Sequence, residues 1–265
     1  MSRFDGMVVV VTGTSSGIGK AIAEDLRSRG AKVYGSSRKA DGSDPLTLHL
    51  DVRDETSVAA AVRRVEEVEG RIDVLVNNAG YCLAGAVEDV SIQEAKDQFD
   101  TNFFGALRMC KAVLPIMRRQ GSGVIINISS VAGRVALPYQ SLYSACKYAL
   151  EAATEALRLE TREFGIRVAI IEPGDTRTAG TANRLLPAAL VGSPYEAACR
   201  KAVETMAKSE QAAPPPRAIL KVARRLISSR HPPVRVAIGF EYKLVVMLTR
   251  LLPAKLVGFI MKQVY

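Results

Sequence analysis

Val8-Val-Val-Val11-Thr12-Gly13-Thr14-Ser15-Ser16-Gly17-Ile18-Gly19 joins a run of four valines to a glycine-spaced turn and to a helical pattern that continues to about Arg29. Consecutive β-branched residues favour extended backbone, and apolar side chains on both faces place such a strand inside a sheet covered on both sides. A second strand over Ala31–Ser36 closes a βαβ unit. The alternation continues with strand Leu46–Leu50, helix Glu55–Val68, strand Val74–Val76, helix Ile92–Arg118, strand Val124–Ile128, helix Tyr143–Phe164 and strand Val168–Ile171. Arg235–Ile238 serves as a last strand. Strands alternating with helices predict an α/β domain, and right-handed crossovers make it a doubly wound parallel sheet of about seven strands with helices on both faces. Ligands of such sheets bind in the crevice at the carboxyl ends of the strands.

The 265 residues, 48% of them hydrophobic, suffice for one large core, and no Pro/Gly/Ser-rich linker divides them. One domain over 1–265 is expected, with a less regular, variable region from about residue 178. The start, Met-Ser-Arg-Phe-Asp-Gly, lacks the basic and apolar regions of a secretory signal, so a cytoplasmic protein is expected. Cys82, Cys110, Cys146 and Cys199 show no CxxC spacing, so reduced thiols and no metal site are expected. The net charge of +9 raises the question of nucleic acid. Lys and Arg are spread along the chain, there is no Trp and no nucleic-acid motif, so no nucleic-acid partner is expected.

The turn after the first strand is spaced G-x-x-x-G-x-G, unlike the common G-x-G-x-x-G dinucleotide fingerprint. The physics carries over. Glycines permit a tight turn and close approach to a pyrophosphate, whose charge rests on the helix N-terminus. Gly13, Ser15, Ser16, Gly17, Ile18 and Gly19 are therefore candidate cofactor contacts; a merely flexible loop is the competing reading. An acidic residue at the end of the second strand would accept hydrogen bonds from a ribose 2′-OH. The chain has Ser36-Ser37-Arg38-Lys39 there, so Arg38 with Ser37 favours a 2′-phosphate, and NADP is expected over NAD. The alternative is that Arg38 and Lys39 are solvated charges.

Tyr143-Ser-Ala-Cys-Lys147 begins a helical pattern, so its phenol and ammonium share one face. A free phenol titrates near ~10, and a cation within about 4–6 Å pulls it towards the range of a useful general acid or base. The pair also occurs by chance in many helices. His49 in a strand pattern and His231 before Pro232-Pro233 suggest no role.

Together these residues resemble the short-chain dehydrogenase/reductases, whose fold is the Rossmann type of doubly wound sheet. Thr12-Gly13 to Gly19 resembles the cofactor loop of that family. Leu50-Asp51-Val52 resembles its adenine contact, Asn77-Asn78-Ala79-Gly80 its signature after strand four, and Asn102-Phe-Phe-Gly105 the segment bearing its active-site Asn. Ser129-Ser130, Tyr143-x-x-x-Lys147 and Pro173-Gly174-x-x-x-Thr178 follow in the family's order. The resemblance implies a tetrad of Asn102, Ser130, Tyr143 and Lys147; Ser130 is preferred over Ser129 because 13 positions separate it from Tyr143, as in the family. It adds Asp51, Val52, Asn78, Ala79, Gly80, Pro173, Gly174 and Thr178 to the cofactor contacts, and it implies a homo-oligomer built through the helices containing Asn102 and Tyr143. Asp51 could instead cap the following helix, a role Asp54 fits equally.

Substrate choice is expected from Tyr81–Val87, Val131–Gln140 and Thr178 to about Glu196, with Tyr81, Leu83, Val135, Leu137, Leu185 and Leu186 as pocket walls beside Ser130 and Tyr143. Arg134 and Arg184 are candidate partners for an acidic group. Lys243–Lys262 is strongly apolar but interrupted by Arg250, Pro253 and Lys255, which excludes a membrane span. Its options are short helices over the pocket or against a subunit, or a basic amphipathic surface touching membrane. The tail and Lys147-Tyr-Ala-Leu-Glu loosely resemble the hydroxysteroid/retinol dehydrogenase branch. An NADP-dependent oxidoreductase of lipophilic ketones, aldehydes and alcohols is the resulting expectation, ahead of a 3-oxoacyl thioester reductase and a non-catalytic nucleotide-sensing protein.

Overall fold

The computed structural model describes residues 2–178, 184–253 and 255–257. Chain order is β1 (Val8–Val11), α1 (Gly17–Arg27), β2 (Lys32–Ser37), β3 (Thr47–His49), α2 (Glu55–Glu69), β4 (Val74–Asn77), α3 (Ile92–Phe99), α4 (Gly105–Gln120) and β5 (Gly123–Ile128). There follow α5 (Ser141–Glu160), β6 (Ile166–Pro173), α6 (Glu196–Ala212), α7 (Arg217–Ser228), β7 (Arg235–Ile238) and α8 (Phe240–Leu251). The seven strands form one sheet in the order β3-β2-β1-β4-β5-β6-β7, every pair parallel. Successive strands run outward from β1 through β2 and β3, then in the opposite direction from β4. The crevice for a ligand therefore opens above the carboxyl ends of β1 and β4.

The valine run shows why the sheet is buried on both faces. Val8 and Val10 pack with Leu75, Ile125 and Val168 against Val62 and Val65 of α2 and Met109 and Val113 of α4. Val9 and Val11 pack with Val74, Ile126 and Ile171 against Ile22 and Leu26 of α1 and Ile219 and Leu226 of α7. Strand period two sends alternate valines into different layers, each worth about 1.5–3 kcal/mol on full burial.

The helix predicted over Ile92–Arg118 is interrupted. A π turn at Asp100–Phe104 separates α3 from α4, inserting backbone that apolar periodicity does not reveal. The region expected to be less regular carries α6 and α7 before β7. Ile219, Ala223, Leu226 and Ile227 of α7 are buried on one face, a helical spacing present in the sequence. Asp54 is the α2 N-cap, its side chain accepting from Thr56 N, and Asp51 is not. Among the described residues no helix is long and apolar enough to cross a membrane. Residues 179–183 of the expected substrate segment and 258–262 of the apolar tail lie outside the described residues.

Candidate active site

The glycine turn is held by the ends of three strands. Gly13 and Gly17 have φ of +70° and +62°, a region that disfavours side chains. A Cβ on Gly13 would lie 2.9 Å from Ala79 Cα. The buried Thr12 hydroxyl accepts from Asn78 N and Ala79 N, both at 2.9 Å, and Asn78 Nδ2 donates to Thr12 O at 2.9 Å and Gly13 O at 3.0 Å. Gly13 N donates to Ser36 Oγ at 3.0 Å, and Ser36 N donates to Thr14 Oγ1 at 2.9 Å. Thr12 and Ser36 thus set the turn's shape; their position at the ends of the first two strand patterns was the available sequence signal.

Gly13, Ser15, Ser16, Gly17 and Ile18 line a cleft of about 1510 Å³, with Ser37, Arg38, Lys39, Asp51, Val52, Asn78, Ala79, Gly80, Pro173, Gly174 and Thr178 along the same wall. Gly19 does not line it. It sits beneath the turn, where a Cβ would collide with Asn78 and the Gly13 carbonyl. Ser16, the α1 N-cap residue, makes no side-chain cap, so the first N–H groups of α1 are left for an anion in the cleft. These features fit a pyrophosphate. At the far end Arg53 grips Asp51, Nε to Oδ1 at 3.0 Å and Nη2 to Oδ2 at 2.6 Å. That bond, more than any other contact, holds the Asp51 carboxyl down to about 2. Asp51 is therefore already neutralised beside the exposed Arg38.

α5 carries Tyr143 and the buried Lys147. Lys147 Nζ donates to Ile128 O at 2.8 Å and lies 5.7 Å from the centroid of the Tyr143 ring. Burial pushes the Tyr143 phenol well above its ordinary value, while its hydrogen bond with the Ser130 side chain pulls it back in part. Burial also pushes the Lys147 ammonium down. The net shift of Tyr143 is thus upward, opposite to the lowering expected from its spacing to Lys147, because burial outweighs the lowering contacts. Ser130 Oγ also accepts from Ala132 N at 3.1 Å, which fixes its position at the end of β5.

Asn102 stands in the π turn and is buried behind the cleft. Its Nδ2 donates to Tyr81 O at 2.7 Å, and Tyr81 N donates to its Oδ1 at 3.0 Å. A second cavity of about 10 Å³ separates Asn102 from Lys147. Asn102 is thus beside Lys147 and does not line the main cleft.

On the other side of Tyr143 the wall is formed by Tyr81, Cys82, Val135, Leu137 and Leu185. Leu83 is buried in a parallel bridge with Leu185, and neither Leu83 nor Leu186 lines the cleft. Arg134 is turned away, its Nε 3.9 Å from Glu172. Arg184 is in the cleft, paired with Glu210 of α6 at 2.5 Å. Sequence reasoning missed the contribution of α6 (Thr205, Met206, Ser209, Glu210) and named no wall residue on α8 (Tyr242, Val245, Leu248) or just past its end (Leu252). Helical spacing of Thr205, Met206 and Ser209 was the only signal for the first. α8 closes over the cleft, as one reading of the tail expected. The Tyr242 ring occupies the space a Cβ on Gly174 would need.

Among the described residues no group of three or more His, Cys, Asp or Glu is arranged to hold a metal ion. The family model described as short chain dehydrogenase matches residues 7–187. The chain is similar to the 3-ketodihydrosphingosine reductase of Bacteroides thetaiotaomicron, 40% identical over 236 residues covering 88% of this chain and 87% of the relative. It is 38% identical to human 17-beta-hydroxysteroid dehydrogenase type 1 over 216 residues, 75% of this chain and 63% of that one. The crystal structure of a short chain dehydrogenase/reductase from Burkholderia phymatum in complex with NAD superposes with a TM-score of 0.82 at 26% identity, covering 94% of each chain. A parallel doubly wound sheet, a glycine turn at its switch point and Tyr143 with Lys147 above it accompany that match: the chain belongs to the short-chain dehydrogenase family, oxidoreductases that interconvert CH–OH and C=O with NAD(P).

Proposed function

We propose that this protein is an NADP-dependent oxidoreductase that interconverts a ketone or aldehyde with its alcohol on a lipophilic substrate, with Tyr143 as proton donor. The observation that carries the reading is that Ser130, Tyr143 and Lys147 line one cleft where its glycine-turn end meets its apolar end, with Lys147 Nζ 5.7 Å from the centroid of the Tyr143 ring. A bound nicotinamide cofactor supplies the hydride, and the protein supplies orientation and protons. Tyr143 donates to the carbonyl oxygen, and Ser130 stabilises the negative charge developing there. Lys147 places a positive charge beside the phenol and offers its ammonium to ribose hydroxyls. The cavity between Asn102 and Lys147 has about the volume of one water, which extends the proton path from Lys147 to the Asn102–Tyr81 corner.

Arg38 without a competing carboxylate supports NADP over NAD. Val135, Leu137, Leu185, Val245, Leu248 and Leu252 support a lipophilic ligand, as do the names of the two relatives. Exposed Phe104 at the end of the π turn and Tyr148 and Leu159 on α5 support a homo-oligomer through the helices containing Asn102 and Tyr143, and the outer stripe Phe240, Leu244, Met247 and Leu251 of α8 supports contact with a lipid surface. Loss of NADPH absorbance with a panel of long-chain ketones, ketosteroids, retinals and acetoacetyl thioesters tests the reading. Turnover fastest on the ketones or retinals is expected; turnover of thioesters alone contradicts it.

A further inference from the structure

The apolar end of the cleft contains a buried ion pair between a loop and α6. Arg184 Nη2 lies 2.5 Å from Glu210 Oε1, and the two side chains are only 8% and 19% exposed. Burying two charges costs desolvation that their attraction seldom repays, so a pair here is poorly explained by stability. It is also incomplete. Arg184 Nε and Nη1 and Glu210 Oε2 are buried and have no hydrogen-bond partner among the described residues. Buried polar groups are ordinarily satisfied, so a donor edge and an acceptor left open side by side in a ligand cleft are a complement to something that enters it. Arg184, Glu210, Cys82 and Tyr143 line the same cleft, so the pair shares the space in which the carbonyl would be reduced.

Resting on the reductase reading above, we infer that Arg184 and Glu210 form a head-group subsite for a neutral hydroxyl a few bonds from the substrate carbonyl. A hydroxyl carries one donor and two acceptor lone pairs. Its oxygen accepts from Arg184, and its O–H donates to Glu210 Oε2. The pair has no net charge, so an anion or a cation entering beside it would leave an uncompensated charge in a low-dielectric site, while a hydroxyl would not. The remainder of the ligand is apolar and lies along Leu137, Val245 and Leu248. The substrate class is therefore a hydroxy ketone with a lipid chain, its polar head adjacent to the reacting carbon.

The test compares three probes with NADPH: a long-chain alkyl ketone, the same ketone with a hydroxyl two carbons from the carbonyl, and the corresponding β-keto acid. The parent should favour the hydroxy ketone over the plain ketone in kcat/KM by at least about tenfold, because the plain ketone leaves both groups unpaired. In the double variant Arg184→Met with Glu210→Leu that ratio should fall towards one, and in Glu210→Gln, whose amide oxygen still accepts but carries no charge, it should fall several-fold. Gln at 210 tests the same ratio should the double variant fail to fold. A ratio near one in the parent, a ratio kept by a folded variant, or preference for the keto acid overturns the subsite. Binding of the two ketones by calorimetry gives the same ratio without turnover. Preferential binding with no reduction of any probe would contradict the reductase reading and leave the subsite standing; equal binding with reduction of both would do the reverse.

Discussion

Lys147 Nζ donates a 2.8 Å hydrogen bond to the carbonyl oxygen of Ile128, fixing a buried ammonium beneath the Tyr143 ring. The two residues join α5 to the end of β5, the strand that also delivers Ser130. A buried lysine with one backbone acceptor is held there at the expense of its own hydration.

That cost has a sign. Burial lowers the Lys147 pKa below its ordinary value, so between the two values the unfolded chain binds more protons. Stability from this group therefore rises with pH through that window and is lowest where the lysine is charged. Lys147→Met should raise the thermal midpoint by a few degrees at neutral pH, roughly the effect of ~1 kcal/mol in a chain of this size. Reduction should fall at least about a hundredfold. Calorimetric scanning beside steady-state kinetics checks both; a lower midpoint contradicts the account of the buried charge.

Glu172 behaves oppositely. Burial, reinforced by the adjacent Glu151 charge, pushes it up to about 7 against the partial relief of Arg134 and Arg235. The folded state then holds a proton that the unfolded state has released, so stability falls as pH rises from about 4.5 to about 7. Glu172→Gln should flatten that decline and stabilise the protein at neutral pH, because Arg235 keeps Glu151 and Glu155. Urea unfolding at several pH values reads the slope; an unchanged slope contradicts it.

Asn102 closes both backbone groups of Tyr81. Asn102→Ala leaves the Tyr81 N–H open, at about 1–3 kcal/mol when unsatisfied, and leaves the Tyr81 carbonyl only the 3.3 Å bond from Gln98 Nε2. The expected result is a thermal midpoint lower by several degrees, together with a raised KM for the carbonyl as the Tyr81 wall loosens. An unchanged midpoint means that water replaces the amide without loss.

Arg38 sets the cofactor expectation. Arg38→Asp should shift the ratio of NADPH to NADH efficiency towards NADH by at least about tenfold, through loss of one charge-assisted contact and gain of a repelling carboxylate. Fluorescence titration with both reduced cofactors checks it. Equal affinities in the parent protein remove the basis for preferring NADP.

The fold was legible because four valines in a row admit few alternatives: both faces had to be covered, and the glycine turn had to lie at a strand end. Helix spacing likewise put Tyr143 and Lys147 on one face, whereas Ser130 came from the resemblance to the family and not from any local period. The π turn at Asn102 was hidden, because an inserted residue leaves the apolar rhythm of α3 and α4 nearly intact. The Arg184–Glu210 pair was hidden for a different reason. Its members are 26 residues apart on a loop and a helix, a separation that no local period spans. Gly19 illustrates the limit of motif reading: it belongs to the turn's pattern, yet its place is under the turn and not in the cleft.

The central claim is that Tyr143 donates the proton to the reduced carbonyl. Its most direct test is Tyr143→Phe, measured for kcat/KM on the best ketone and for NADPH affinity by fluorescence. The account predicts a loss of about a hundredfold to ten-thousandfold in kcat/KM with NADPH affinity within about threefold of the parent. Turnover retained near the parent value, with the cofactor bound normally, would contradict it.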